Sequence, residues 1–130
     1  LVSGTRLWLT PGSLEEKKHV MKTLVHTRCA AVLAALEKHE CAVIFTEPVD
    51  HVALGLPDYP SIVKHPMDLG TVAKKLENNE YDLGGPSQFV TDVQLTFHNC
   101  LAYNPVGTDA RQMGEIMLRE LKQKWIASGF

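Results

Sequence analysis

The segment that most constrains this chain's fold runs over residues 40–66, where helical periodicity stops without giving way to a polar linker. It carries Val43, Ile44, Phe45, Val49, Val52, Leu54, Leu56, Tyr59 and Ile62, punctuated by Pro48, Pro57 and Pro60 and closed by Pro66. Connections this long inside a compact domain are uncommon, and ordered ones are usually functional. So many branched and aromatic side chains can bury enough area to offset their ordering entropy, which argues against disorder. An ordered apolar loop laid over helices is a way to build a pocket.

Helical signals surround that loop. Ser13-Leu14-Glu15-Glu16 has the form of a capping box. Met21, Val25, Cys29, Val32 and Leu36 then recur at helical spacing, which predicts a first helix to about His39. Asp68 is placed to cap a short second helix with Leu69, Val72, Ala73 and Leu76 on its inner face, ended by Asn78-Asn79. Residues 81–85 read as a turn, and Pro86 suits the first position of a third helix with Phe89, Val93, Phe97 and Cys100 facing the core. That helix stops at Asn104-Pro105, because proline disfavours helical geometry in the residue before it. Asp109 with Gln112 predicts the cap of a fourth helix, whose stripe is Met113, Ile116, Met117 and Leu121 and whose Trp125 is expected to staple it to the first. No segment alternates with period two for long, so the fold class is all-α, a helical bundle in one domain.

Composition excludes several functions. Thirteen basic and fifteen acidic residues give a net charge of −2, without the positive field that drives phosphate binding, so no direct nucleic-acid contact is expected. No apolar run can span a bilayer, and residues 1–11 lack the pattern of a signal peptide, so no membrane partner is expected; residues 1–12 read as a flexible tail. Three cysteines, Cys29, Cys41 and Cys100, show no CxxC spacing, which suits neither a disulfide framework nor a zinc knuckle. His98 and Cys100 point to different helix faces, so no metal site is expected. Hydrolase, metalloprotease and phosphate-loop motifs are missing too, so no catalytic residue and no cofactor are assigned.

Four motifs fall in one order: Pro48-Val49-Asp50, Leu56-Pro57-Asp58-Tyr59, Pro66-Met67-Asp68-Leu69-Gly70-Thr71, and the run from Phe97 through His98, Asn99, Cys100, Leu101, Ala102 and Tyr103 to Asn104. Their order and spacing resemble the bromodomain family over most of the chain, from about Leu24 to Trp125. The resemblance implies a left-handed four-helix bundle over residues 13–130, with the long loop between the first and second helices framing a pocket for acetyl-lysine. It implies that Asn104 donates to the acetyl carbonyl and that Tyr59 reaches the same oxygen through water. Phe45 would floor the methyl end, Val49, Leu54 and Leu56 would line the stem, and Tyr103 would wall the other side. The implied partners are acetylated histone tails or other acetyl-lysine proteins, and the implied compartment is the nucleus.

The ligand's chemistry suits these residue types on its own account. Acetylation leaves a neutral amide on an apolar stem, and an Asn amide offers a donor without the desolvation cost of a charge. Glu47, Asp50, Asp58 and Asp109 are expected near the mouth, where they would attract basic tails, with Lys64 and Arg111 diluting that field.

The chain departs from the family pattern in three places, at four residues. Val43-Ile44 stands where Trp-Pro is common, which makes the shelf beside Phe45 aliphatic. Pro60 replaces a frequent second tyrosine, and Ala110 occupies the gate position that is often Ile, Val or an aromatic. A smaller gate predicts a weaker grip on a lone acetyl-lysine and more room for longer acyl groups or a second modified lysine. The competing reading is a helical scaffold whose altered pocket binds a partner regardless of acetylation. Retention of both Asn104 and Tyr59 favours the reader, because a pocket released from that task has no chemical reason to keep the amide.

Overall fold

The computed structural model describes residues 12–130; apart from Gly12, the tail expected over residues 1–12 lies outside them. Four long helices form the bundle: α1 (Leu14–Glu37), α3 (Leu69–Glu77), α4 (Gly85–Tyr103) and α5 (Asp109–Ala127). The connection after α1 is not featureless, because it holds a 3-10 turn (Glu40–Phe45) and a one-turn helix, α2 (Tyr59–Ile62). Among the described residues there is no strand.

Capping follows the sequence in two of three places. Ser13 accepts from the Glu16 amide at 3.1 Å, and the return bond runs from the Gly12 amide to Glu16 Oε1 at 2.6 Å. Asp68 caps α3 with both oxygens, taking the Thr71 amide at 2.9 Å and the Thr71 hydroxyl at 2.6 Å. At α5 the expected cap is corrected: Thr108, not Asp109, accepts from the Arg111 amide, because the helix begins at Asp109 itself. In α4 the first helical residue is Gly85, at φ +70°, a conformation that favours glycine, so Pro86 is second rather than first.

The core is continuous through the bundle. Leu36, Leu69, Val72, Phe89, Val93, Phe97 and Met117 are fully buried, and α5 packs most closely on α4 and then on α1. Burying a side chain of this size stabilises by about 1.5–3 kcal/mol. One expectation fails. Met21 is 62% exposed, because among the described residues the outer turns of α1 run beyond the packed part of the bundle. Trp125 stacks on Phe89 of α4 at 6.0 Å and on Phe130 at 4.3 Å, so its ring contacts join α5 to α4.

A polar cluster also fixes the far end of the bundle. Asp92 Oδ2 accepts from Lys75 Nζ and from the Tyr81 hydroxyl, each at 2.6 Å, and the Tyr81 ring meets Phe89 edge-on. Burial and then the Asp92 bond push the Tyr81 phenol far above its ordinary range.

The long loop is fastened to the bundle at three points. Thr46 lies against the start of α3, where a Cβ on Gly70 would sit 2.5 Å from the Thr46 carbonyl oxygen, so glycine is required for that approach. Further along, the Tyr103 hydroxyl donates to Asp58 Oδ1 at 2.7 Å, and Asn99 Nδ2 donates to the His65 carbonyl at 2.9 Å. These fastenings hold the loop over the C-terminal end of α4.

Candidate functional site

Between the loop, the end of α4 and the start of α5 lies a cavity of about 280 Å³. Phe45, Val49, Leu54, Leu56, Tyr59, Tyr103, Asn104 and Ala110 all line it. Of the two shelf residues, Ile44 lines the cavity and Val43 does not, being 68% exposed. The 3-10 turn accounts for the split: at three residues per turn, Val43, Ile44 and Phe45 point in three directions, and only one can face the core. Phe45 takes that place, edge-on to Phe97 at 5.0 Å.

Asn104 is the C-terminal cap of α4, with φ −97° and ψ 125°, the extended conformation expected before proline. Its backbone amide and its side-chain Nδ2 both donate to the Cys100 carbonyl, at 2.9 and 3.0 Å. Nδ2 also lies 3.5 Å from Cys100 Sγ, a weak acceptor. One amide hydrogen is thus well spent locally and the other is held loosely, beside the cavity.

Arg111, one turn into α5, fixes this helix end from the other side. Its Nη1 donates to the Leu101 carbonyl at 2.8 Å and to the Asn104 carbonyl at 3.4 Å, covering acceptors that the end of α4 leaves unpaired. Its Nε is buried and lies 3.5 Å from a Glu115 oxygen, an ion pair without hydrogen-bond geometry. Arg111 is therefore a structural clamp rather than a charge at the mouth.

Cys100 ties Asn104 and Ala110 together. Its Sγ donates to the Ala110 carbonyl at 3.1 Å, and a Cβ on Gly114 would approach that sulfur to 3.0 Å, so α4 and α5 meet closely there. Burial pushes the thiol up, opposed by the Asn104 bond, the Gly114 backbone and Arg111.

The aromatic wall is stacked in series. Tyr59 lies between His51, parallel at 6.0 Å, and Tyr103, edge-on at 4.9 Å. Burial and then the Cys100 thiol raise the Tyr59 phenol, while its bond to Asp58 leads the rise at Tyr103, so both remain neutral hydrogen-bonding groups at physiological pH. Of the four acidic residues expected at the mouth, Glu47 lines the cavity, Asp58 is bonded to Tyr103, and Asp50 accepts from the Ala53 amide. Among the described residues no group of three or more His, Cys, Asp or Glu side chains is gathered to hold a metal.

The bromodomain family profile matches residues 29–116, about two thirds of the chain and all of the cavity-lining residues. The chain belongs to the bromodomain family. As a bromodomain it has the family's four-helix bundle and belongs to a class of non-catalytic readers of acetyl-lysine. It is similar to the transcription factor GTE3, labelled chloroplastic, of Arabidopsis thaliana, at 48% identity over 98 residues, 75% of this chain and 21% of that protein. It is also similar to the SWR1 complex bromodomain subunit bdf1 of Schizosaccharomyces pombe, at 42% over 99 residues, 73% of this chain and 17% of that protein. Bromodomain-containing factor 1 of Candida albicans is 49% identical over 81 residues, 62% of this chain and 11% of that protein. The chain thus spans about a fifth or less of the length of these relatives.

Within this bromodomain, four cavity residues escaped the motif reading as pocket residues: Met67, Asp68, Thr96 and Cys100. Cys100 and Thr96 lie about one and two turns before Asn104 on the same face of α4, so helical spacing from Asn104 is the signal that finds them. Nothing in the sequence marked Arg111 as a clamp, because its acceptors are carbonyls of another helix.

Proposed function

We propose that this bromodomain, residues 13–130, binds acetylated lysine in the cavity beside Asn104, on histone tails of chromatin. The observation that carries the reading is the loosely held hydrogen of Asn104 Nδ2. Exchanging a 3.5 Å contact to sulfur for a bond to an acetyl oxygen improves the hydrogen bond without stripping the amide of its helical partner. Tyr59 then acts on the same oxygen through a bridging water, as wet sites commonly arrange. Phe45 floors the methyl group, Val49, Leu54 and Leu56 follow the stem, Tyr103 walls it, and Ala110 leaves the gate wide. The shelf that remains is Ile44.

The transcription-factor relatives and the SWR1 complex subunit support placement on chromatin in the nucleus, while GTE3 and GTE5 carry a chloroplastic label. An acetylated side chain of about eight heavy atoms, at roughly 0.3–1 kcal/mol each, supports millimolar to micromolar binding. Further modules in a longer host chain would add avidity. The test is a titration of acetylated and unmodified histone-tail peptides against wild type and Asn104→Ala. A buried hydrogen bond with its desolvation balance is worth about 1–3 kcal/mol, so the variant loses about 5- to 150-fold for the acetylated peptide only. Equal affinity of the wild type for the unmodified peptide would support the acetylation-independent scaffold instead.

A further inference from the structure

At the opposite end of the bundle, α1 carries an apolar face that no element among the described residues covers. Leu14, Val20, Met21 and Leu24 are all at least 40% exposed, whereas the same helix is core from Cys29 onward. Beside this face, and sharing only Met21 with it, is a groove of about 290 Å³ between α1 and the turn before α4, floored by Val25, Leu76, Tyr81 and Pro86. The floor is rigid, since the Tyr81 ring is held edge-on by Phe89 and its hydroxyl by Asp92. The groove abuts the first residues of α4, Gly85 and Pro86, and the acyl-lysine cavity abuts its C-terminal half from Thr96 onward, so the two share no lining residue. Both can be filled at once.

Charge identifies the occupant. Lys18, Lys22 and His26 line the groove against one carboxylate, Asp82. Asp82 is 4.0 Å from Lys22 with both side chains exposed, a pairing too solvated to neutralise the rim. The groove's own lining therefore carries more lysine than carboxylate on a chain whose net charge is −2. A basic tail is repelled here, and a two-fold pairing of α1 with its own copy would bring the lysines of the two copies together. We infer that this groove is a docking surface for an acidic segment of a partner protein that carries bulky apolar side chains among its Asp and Glu residues. The apolar side chains fill the floor, and the carboxylates meet the lysines at the rim, which sets orientation and encounter rate.

The inference does not depend on acyl-lysine reading and is tested separately from it. The probe is a dodecapeptide with Phe and Leu at helical spacing in an Asp/Glu background, titrated into the ¹⁵N-labelled protein. Its controls are the same apolar pattern in a Lys/Arg background and the same acidic background with Ser for Phe and Leu. Amide shifts are expected within residues 18–29 and 76–86, with the Asn104 side-chain resonance unmoved, and at least about tenfold weaker binding of both controls. The doubly reversed variant, Lys18→Glu with Lys22→Glu, should lose at least about tenfold for the acidic probe while keeping a dispersed spectrum and unchanged acetyl-peptide affinity. Absent shifts, shifts elsewhere, equal binding of the basic peptide, or survival of binding after charge reversal would each overturn the inference. Concentration-dependent self-association mapping to the same residues would overturn it too, by assigning the groove to a second copy.

Discussion

Replacing Ala110 by isoleucine tests how the width of the gate sets acyl preference. Ala110 lines the cavity as the second residue of α5, and its carbonyl is held by Cys100 Sγ at 3.1 Å, so the added side chain has a fixed origin. Isoleucine adds three carbons, each worth up to about 0.8 kcal/mol when a ligand covers it. If half of that new surface meets an acetylated side chain, affinity for it rises by about 1.2 kcal/mol, or roughly tenfold. A butyryl group carries two more methylenes into a cavity of only about 280 Å³, and overfilling a packed space costs about 1–3 kcal/mol. The butyryl-to-acetyl affinity ratio should therefore fall by about 50- to 1,000-fold, with Ala110→Val between the two. The assay is calorimetric titration of one histone-tail peptide in both acylated forms against the three proteins. A thermal melt checks the fold, since a β-branched residue in a helix costs no more than about 0.7 kcal/mol. An unchanged ratio in a folded Ala110→Ile protein refutes the gate.

Three further outcomes follow from the packing. Gly70→Ala drives a Cβ to 2.5 Å from the Thr46 carbonyl, so denaturant unfolding should show a loss of about 1–3 kcal/mol despite alanine's better helix propensity; an unchanged midpoint would show that the loop is not seated there. Arg111→Met keeps an apolar stem but uncovers the Leu101 and Asn104 carbonyls, so stability should drop by about 1–2 kcal/mol and acetyl-peptide affinity with it, while Arg111→Lys recovers part of both; a more stable Arg111→Met protein refutes the clamp. The Cys29 thiol is pushed by burial from 9.0 up to about 11. Its folded value lies above its unfolded one, so its contribution to stability is whole below pH 9 and is withdrawn as pH rises to about 11. Melts across that range should fall more steeply for wild type than for Cys29→Val, and parallel curves would refute the assignment.

How far the sequence revealed the fold depended on whether the relevant partner was local. Ser13 and Asp68 were legible as caps because a cap and its acceptor lie within one turn. The i, i+3, i+4 stripes of α3 and α4 were legible because a complete apolar face has few other uses. Periodicity could not say where the bundle ends, so Met21 continued a stripe past the point where the described residues bury it. Trp125 illustrates the same gap: its bulk announced packing, while no local spacing named Phe89 and Phe130 as its ring partners. In the site, the order of the loop motifs brought eight residues to one cavity. The 3-10 turn that parts Ile44 from Val43 left no such mark, because a short apolar run gives no period. Arg111 and Cys100 matter through carbonyls and a sulfur contact across helices, which no spacing encodes.

The three fastenings of the long loop bear on the time course of recognition. Thr46 against Gly70, Asp58 with Tyr103 and His65 with Asn99 hold the wall at its beginning, middle and end. Its ordering entropy was met when the domain folded, so an arriving side chain finds a finished wall and sets no segment in order. Association should then be single-exponential, within the ordinary docking range of about 10⁵–10⁷ M⁻¹s⁻¹, with no slow closing phase. Differences between one acylated peptide and another would lie almost wholly in how long each stays.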